Sequence, residues 1–314
     1  MTADQKLYWL FGGVVGVLLF ASALGRLFSR RVASPTQRAT VENLNARIKA
    51  WWVMIAIFAA SFLLGKTATL LLFALTSFYT LREFLSLTPT KPADNPPLAA
   101  AFYLFLPLQY VLIWSDWYGL FAISIPVYAF IVAPSLAALG GETDDFLLRI
   151  ARIQWGLMLT VYCISHAPAL LILPIPEFQG QGFLLLFFLI TVVQFSDVMQ
   201  YVFGKLFGRT KIAPLVSPSK TLEGLVGGGL SATLLGAALF WITPFTFWQA
   251  GAMAFVIVAM GFLGGLSLSA VKRSMGVKDW GNMVEGHGGV LDRMDSVCFS
   301  APVFFHLTRY FFAA

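Results

Sequence analysis

Charged residues are scarce in this chain of 314 residues: Asp, Glu, Lys and Arg make up 11% of it, whereas hydrophobic residues make up 58%. An average soluble domain carries roughly 25% charge, so the composition excludes an ordinary water-soluble globule. Phe alone occurs 30 times, which excludes a disordered chain because disorder requires low hydrophobicity and high charge. The sequence therefore indicates a protein dominated by apolar segments.

Cysteine and histidine are also scarce, with two and three copies. Both cysteines, Cys163 and Cys298, lie inside apolar runs, so a disulfide framework and a cysteine-based zinc site are excluded. No second His or Cys lies near His287 in the sequence, which makes it a poor zinc ligand. A hydrogen bond or a phosphate contact is the better interpretation of His287.

Long apolar runs are abundant, and a helix needs roughly 20 apolar residues to cross the hydrocarbon layer of a bilayer. We therefore predict an all-α polytopic integral membrane protein with about ten transmembrane helices. The windows near 50–64 and 67–87 meet at Gly65-Lys66, where we expect a tight helical hairpin, one long bent helix being the alternative. The ten windows lie near 7–28, 50–64, 67–87, 98–114, 118–139, 150–173, 182–203, 224–243, 248–270 and 296–312.

The segments between the first windows are predicted to be linkers. Residues 29–49 form a cytoplasmic linker that ends in an interfacial helix around 41–49. Residues 88–97 contain four prolines and are predicted to be non-helical. The small residues 21–23 resemble a signal-peptide cleavage site, but arginines follow this apolar run, so we interpret it as a retained anchor.

Positive charge is unevenly distributed over the predicted loops. With ten helices, all but three of the 21 basic residues fall on one face of the membrane, and only Lys6, Lys66 and Arg309 fall on the other. Cytoplasmic loops are enriched in Lys and Arg, so the basic face is predicted to be cytoplasmic and both termini to lie outside. The net charge of +6 is then a topology signal, and we expect no nucleic-acid partner.

The first polar stretch covers residues 194–224 and falls on the basic face. Asp197 lies six residues inside the predicted end of its helix, where a carboxylate is costly and needs a cation or hydrogen-bond donors. A carboxylate that a Lys or Arg neutralises purely for packing is the alternative. Ser217, Lys220 and Thr221 precede the next helix, where hydroxyl, ammonium and free N–H donors suit a phosphate. An N-cap with a snorkelling lysine explains the same residues.

The second polar stretch covers residues 269–296 and is denser in charge. Asp292 and Asp295 are spaced i, i+3, so both carboxylates share a face if a helix has begun, as a hard divalent cation prefers. Gly286, Gly288 and Gly289 permit a sharp turn or a close approach to an anion. An ion-paired cytoplasmic loop is the alternative. We divide the chain into N-terminal membrane helices, 1–180, and a C-terminal membrane region with both polar stretches, 181–314.

These two stretches resemble the motifs of the phosphatidate cytidylyltransferases, also called CDP-diacylglycerol synthases. Residues 269–296 read Ser-x-x-Lys-Arg-x4-Lys-Asp-x-Gly…His-Gly-Gly-x-x-Asp-Arg-x-Asp-Ser, and residues 196–224 read Ser-Asp-x-x-x-Tyr…Gly-x-x-Phe-Gly-Arg…Ser-Pro-x-Lys-Thr-x-Glu-Gly. The resemblance covers about 190–314 well, and the first 180 residues match only as a hydrophobic multi-helix region. Val284-Glu285 stand where the family has an apolar residue and Pro, and Gln200 stands where Ala is common, so a paralogue that acts on another lipid phosphate stays open.

The resemblance implies that CTP and phosphatidate react to give CDP-diacylglycerol and pyrophosphate, with Mg²⁺ as the divalent cofactor. It implies Asp279, Asp292 and Asp295 as the principal metal carboxylates, with Asp197 as a further ligand or a partner of one. Phosphates are expected to contact the basic residues of both stretches, assisted by hydroxyl and backbone donors. The basic residues are Lys220, Lys272, Arg273, Lys278 and Arg293, and the assisting residues are Ser217, Thr221, His287, Gly288 and Gly289.

Other functions remain as alternatives. A CTP-dependent lipid kinase would use the same nucleotide but transfer the γ-phosphoryl group. A lipid transporter would spread its charges across the membrane depth, whereas here they cluster at one face. The Asp-Gly-x-x-Ala-Arg…Gly-x3-Asp-x3-Asp pattern of CDP-alcohol phosphatidyltransferases is missing. We expect the protein in a bacterial inner membrane with its active site on the cytoplasmic face, and a homodimer is one assembly state that the sequence leaves open.

Overall fold

The structure is a computed structural model that describes residues 2–31, 35–281, 283 and 288–313. Its described part consists almost entirely of helices, joined by short loops and one small hairpin. We label the long helices α1 (Ala3–Arg31), α2 (Pro35–Leu63), α3 (Lys66–Ser86), α4 (Pro92–Trp114), α5 (Tyr118–Leu139), α6 (Phe146–Ile172), α7 (Gly182–Phe207), α8 (Leu222–Ala238), α9 (Phe247–Ser274) and α10 (Leu291–Phe312).

Seven of these helices are long and apolar enough to cross a membrane, counted over the described residues: α1, α3, α4, α5, α6, α7 and α9. Two further apolar helices, Ile48–Leu63 within α2 and α8 itself, are shorter. Helix α10 has 22 residues and a charged first turn. The protein is therefore an all-α polytopic integral membrane protein, which confirms the predicted fold class.

The connections between the first helices confirm one prediction and correct two. Helix α2 ends at Leu63 and α3 begins at Lys66, with Gly65 at a φ of 88°, so the tight hairpin is confirmed. The prediction of a separate interfacial helix around 41–49 was wrong, because α2 runs without a break from Pro35 to Leu63. The prediction of a non-helical linker over 88–97 was wrong from Pro92 onward, since a 3₁₀ turn covers Pro92–Asp94 and the α-helical part of α4 begins at Asn95. Prolines in a first turn lack only an N–H that the helix would not use.

Helices α7 to α10 pack consecutively against one another and carry both polar stretches. Small residues allow this close packing. A Cβ built at Gly264 of α9 would lie 2.7 Å from the backbone oxygen of Asp295 of α10, so only glycine permits the observed approach of the two helices. Helix α3 packs against α6 and α10 and so connects the first half of the chain to the second.

Polar contacts near the helix termini identify the two ends of the helix bundle. At one end Lys66 pairs with Asp116 at 2.8 Å, and the Arg309 guanidinium lies 3.6 Å from the centre of the Tyr118 ring. At the other end the buried Arg149 guanidinium pairs with Asp94 at 3.1 Å. The loops therefore alternate between the ends as the charge distribution predicts, and both polar stretches lie at the Arg149 end.

Candidate functional site

Four residues from three elements form what we call the polar centre: Asp197, Lys220, Asp295 and Ser296. Asp197 projects from α7, ten residues before that helix ends at Phe207, which is about 15 Å at 1.5 Å per residue. Asp295 and Ser296 lie near the start of α10. Lys220 lies on a short strand that precedes α8. Three of the four, Asp197, Lys220 and Asp295, are predicted from the sequence, and the structure brings all four together.

Ser296 links the two carboxylates of the polar centre. Its hydroxyl lies 3.1 Å from Asp197 Oδ1, to which it donates, and 3.5 Å from Asp295 Oδ1. Its backbone N–H donates to the same Asp295 oxygen at 2.7 Å. Asp197 is exposed, Asp295 is half-buried and Ser296 is buried. Two carboxylates on neighbouring helices therefore meet around one hydroxyl, and Asp197 is exposed at the surface of the protein.

Lys220 supplies the positive charge of the polar centre. Its ammonium donates to the backbone oxygen of Phe262 at 3.3 Å and lies 4.7 Å from the centre of the Phe262 ring. A Cβ built at Gly265 would lie 2.8 Å from Lys220 Nζ, so the absence of a side chain at Gly265 makes room for the ammonium, and the same point lies 3.8 Å from Asp295 Oδ2. Burial lowers the pKa of the Lys220 ammonium, and the carboxylates of Asp295 and Asp197 act in the opposite direction.

Two further cations surround the acidic pair. Lys272 and Arg293 both attract the Asp295 carboxylate electrostatically, and Arg293 also attracts Asp197. The polar centre thus contains two negative side chains and one positive one, with Lys272 and Arg293 beside it, in a partly buried site where interactions between charges are stronger than in bulk water. Such a site can hold polyanionic groups and a cation together.

Asp292 belongs to a separate set of contacts, which we call the Asp292 network. Its Oδ1 accepts a hydrogen bond from Lys272 Nζ at 2.6 Å, and its Oδ2 accepts from the backbone N–H groups of Trp280 at 2.8 Å and Gly289 at 2.9 Å. Both charged side chains are largely buried. The sequence correctly predicted that Asp292 and Asp295 lie together at a helix start, but their carboxylates contact different groups.

The remaining candidates of the second stretch lie around this network. Lys278 and Asp279 are exposed. Arg273 donates to the backbone oxygens of Val216 and Val277, at 3.3 and 3.1 Å. Gly288 has a φ of 81°, and a Cβ there would lie 2.7 Å from Asp292 Oδ2. His287 and the Val284-Glu285 pair lie outside the described residues.

The first stretch contains a hairpin that the sequence did not predict. Strand β1 (Lys211–Ala213) pairs antiparallel with β2 (Ser217–Thr221). Thr221 caps α8, since its hydroxyl accepts from the N–H of Gly224 at 3.1 Å. Ser217 and Thr221 are both buried. The predicted helix start is therefore confirmed, and the hairpin directs the Lys220 side chain toward α9.

One residue at this site was missed by sequence analysis. Glu83 of α3 accepts hydrogen bonds from the backbone N–H groups of Val290 at 2.9 Å and Leu291 at 2.8 Å. The only sequence signal was an acidic residue near the basic end of an otherwise apolar helix. Val290 and Leu291 follow Glu83 by 207 and 208 positions in the chain, and no local sequence pattern predicts a contact over that separation.

Within the described residues, no group of three or more His, Cys, Asp or Glu side chains is arranged to hold a metal ion. Of the four predicted metal ligands, the structure brings the carboxylates of Asp197 and Asp295 together around Ser296. A cavity of about 630 Å³ lies at the opposite end of the bundle, lined among others by Tyr118, His306 and Arg309, and is therefore not part of this site.

Comparison with known proteins gives consistent matches over most of the chain. The model of the "Cytidylyltransferase family" matches residues 45–311. A protein of Escherichia coli (strain K12) with the name "Uncharacterized protein YnbB" is 40% identical over 297 residues, which are 94% of this chain and 95% of that protein. A phosphatidate cytidylyltransferase of Staphylococcus haemolyticus (strain JCSC1435) is 29% identical over 260 residues, 80% of this chain and 94% of that protein. One of Staphylococcus aureus (strain COL) is 35% identical over 129 residues, 40% of this chain and 50% of that protein.

Proposed function

The chain belongs to the cytidylyltransferase family and is a nucleotidyltransferase, and on that premise we propose that it transfers the cytidylyl group of CTP to phosphatidate. The products are CDP-diacylglycerol and pyrophosphate. The observation that carries the proposal is the polar centre, in which Asp197, Asp295 and Lys220 meet at the basic end of a membrane-embedded helix bundle. The name of the staphylococcal relatives supports phosphatidate as the acceptor.

The proposed reaction needs no nucleophilic side chain. An oxygen of the phosphatidate monoester is ionised at neutral pH and attacks the α-phosphorus of CTP, and the bond between the α-phosphorus and the bridging oxygen of pyrophosphate breaks. The electron pair of that bond leaves with pyrophosphate. Two anions must approach each other, so the protein has to neutralise charge and align both substrates. Lys220 and Arg293 provide positive charge beside both carboxylates for this purpose, and Lys272, which pairs with Asp292, also attracts Asp295.

We propose that Asp197 and Asp295 bind Mg²⁺ together with the triphosphate of CTP. The donor set fits, because Mg²⁺ in nucleotide sites is commonly held by one or two carboxylates and by substrate phosphates. When bound, the ion would neutralise charge on the phosphates and orient them. Both oxygens of Asp292 already accept hydrogen bonds from Lys272 and two backbone N–H groups, so we assign Asp292 to the support of the loop. Asp279 as a ligand stays a prediction from the sequence.

The proposed orientation places the polar centre at the cytoplasmic face of a bacterial inner membrane. CTP is a cytoplasmic nucleotide, and the basic loops are typical of the cytoplasmic side. Phosphatidate would present its headgroup at the same interface while its acyl chains stay among the helices. The remaining candidates, which include Arg273, Lys278, His287, Gly288 and Gly289, are proposed to contact phosphate groups of the substrates.

The direct test uses purified protein in detergent with Mg²⁺, phosphatidate and CTP that carries a label on either the α- or the γ-phosphorus. We expect α-label in the lipid fraction and γ-label only in pyrophosphate, with one pyrophosphate per lipid labelled. Entry of γ-label into lipid would instead identify a CTP-dependent lipid kinase. Absence of labelled lipid with phosphatidates of several acyl lengths would overturn the proposed substrate.

A further inference from the structure

Glu83 lies outside both polar stretches, yet its carboxylate contacts the first turn of the helix that carries Asp295 and Ser296. One oxygen accepts from the N–H of Val290 and the other from the N–H of Leu291, at 2.9 and 2.8 Å. A helix start leaves such N–H groups without intrahelical partners, and its dipole favours a negative charge there. Glu83 therefore caps α10 from a helix more than 200 residues earlier in the chain.

Two glycines make room for this carboxylate. A Cβ built at Gly289 would lie 2.6 Å from Glu83 Oε2, and one at Gly281 would lie 3.0 Å from Glu83 Oε1. Gly289 itself donates its N–H to Asp292. The Glu83 carboxylate thus lies against two points of the segment between α9 and α10. A side chain at Gly289 would displace it, and one at Gly281 would crowd it.

The next residue of α3 makes a second contact with the same segment. The Phe84 ring stacks on the ring of Trp280, with 5.3 Å between the ring centroids and 26° between the ring planes. Both side chains are fully buried, and the backbone N–H of Trp280 donates to Asp292. Helix α3 therefore fixes the beginning of the segment through Phe84 and its end through Glu83.

We propose that Glu83 is a positioning residue for cytidylyl transfer, an inference that rests on the proposed function. By holding the N–H groups of Val290 and Leu291, it fixes the first turn of α10 and so the place of Asp295 and Ser296 relative to Asp197. A misplacement of about 1 Å at a reacting centre can cost roughly 10²-fold in rate. Glu83 does not itself contact the polar centre, so its effect passes through the α10 backbone.

Deuterium exchange of the protein in detergent tests the contact without any substrate. Glu83→Gln keeps the size of the side chain, but an amide has a single acceptor oxygen and presents its own donor to the second N–H. We expect the peptide over residues 288–296 to exchange about tenfold faster or more in Glu83→Gln, with no change in peptides of α9. Unchanged exchange over 288–296 would overturn the proposal.

Steady-state kinetics test the positioning role. We expect the kcat of Glu83→Gln to fall about tenfold or more while the KM for CTP changes by less than about threefold, and Glu83→Asp, which keeps both oxygens, to recover part of kcat. Glu142→Gln is the matched control, because Glu142 is also a partly exposed carboxylate but pairs with Lys91 in another loop. Faster exchange with unchanged kcat would reduce Glu83 to a purely structural role and overturn the proposal.

Gly289→Ala provides a second, less selective route to the same test, since its methyl group would lie 2.6 Å from Glu83 Oε2 and 2.8 Å from the backbone nitrogen of Gly281, and so would displace the carboxylate without changing Glu83. We expect the same faster exchange and lower kcat as in Glu83→Gln, and normal values in Gly289→Ala would contradict the account. If the unaltered protein transfers no cytidylyl group, the proposed function fails. The exchange experiment separately confirms or overturns the contact.

Discussion

The hydroxyl of Ser296 is the smallest group of the polar centre and contacts both of its carboxylates. It donates to Asp197 at 3.1 Å and lies 3.5 Å from Asp295. Because Asp197 and Asp295 lie on different helices, this hydroxyl is what orients one carboxylate relative to the other. A hydrogen bond to a charged group contributes about 1.5–3 kcal/mol, so its removal is measurable.

Ser296→Ala is expected to lower kcat about 10- to 100-fold, because Asp197 loses the donor that orients it. The protein should still fold, since alanine fits the same space. Ser300→Ala is the matched control: Ser300 lies one turn further along α10, and its hydroxyl donates to the backbone oxygens of Ile257 and Ser296. Rates of cytidylyl transfer for the two variants check the prediction, and equal rates would contradict it.

A substitution of Asp292 distinguishes a role in stability from a role in catalysis. Its pair with Lys272 is buried, and removal of one partner from such a pair costs about 3–5 kcal/mol. Asp292→Asn should therefore lower the free energy of unfolding by about 3 kcal/mol, seen as a lower melting temperature in detergent. If activity is lost while the melting temperature is unchanged, Asp292 acts as a metal ligand, as the sequence predicted.

Helices α9 and α10 approach each other closely at one glycine. A Cβ at Gly264 would lie 2.7 Å from the backbone oxygen of Asp295, and backbone cannot move aside as a flexible side chain can. The helix that carries Asp295 and Ser296 is therefore held in place by close packing as well as by the Glu83 contact. The geometry of the polar centre depends on this helix pair.

Gly264→Ala is expected to destabilise the protein by about 1–3 kcal/mol, because the extra methyl group forces α9 and α10 apart. Gly13→Ala in α1 makes the same chemical change where a Cβ would meet no atom within 4 Å, and it should not destabilise. Thermal unfolding in detergent measures both variants. A Gly264→Ala protein that is as stable as Gly13→Ala would show that the two helices can separate without cost.

Local patterns predicted much of the helical architecture and little of the long-range geometry. The apolar windows and the hairpin at Gly65 follow from hydrophobicity and backbone freedom, which act over short distances. The four prolines of 88–97 argue against a helix by their local chemistry, yet helical structure begins at Pro92, because prolines suit a first turn. The contact of Glu83 with Leu291 depends on tertiary packing, so no local pattern contains it.

The charge distribution of the whole molecule predicts its orientation. Two exposed side chains lie at opposite ends of the helix bundle: Asp116 in the turn before α5, and Lys211 at the start of strand β1. In a variant with Cys163 replaced by Ala, a thiol reagent that cannot cross membranes should label Asp116→Cys in intact cells. It should label Lys211→Cys only after the cells are opened. The reverse pattern would place the polar centre outside the cytoplasm.

If the polar centre is the site of cytidylyl transfer, Asp197→Asn should abolish most of that activity. The amide keeps the shape of the side chain but removes the charge that the proposed cation and Lys220 require, so the rate with labelled CTP and phosphatidate should fall at least about 10²-fold. Asp116→Asn, which removes a carboxylate at the opposite end of the bundle, should keep the rate of the unaltered protein. A rate for Asp197→Asn within about twofold of that control would contradict the account.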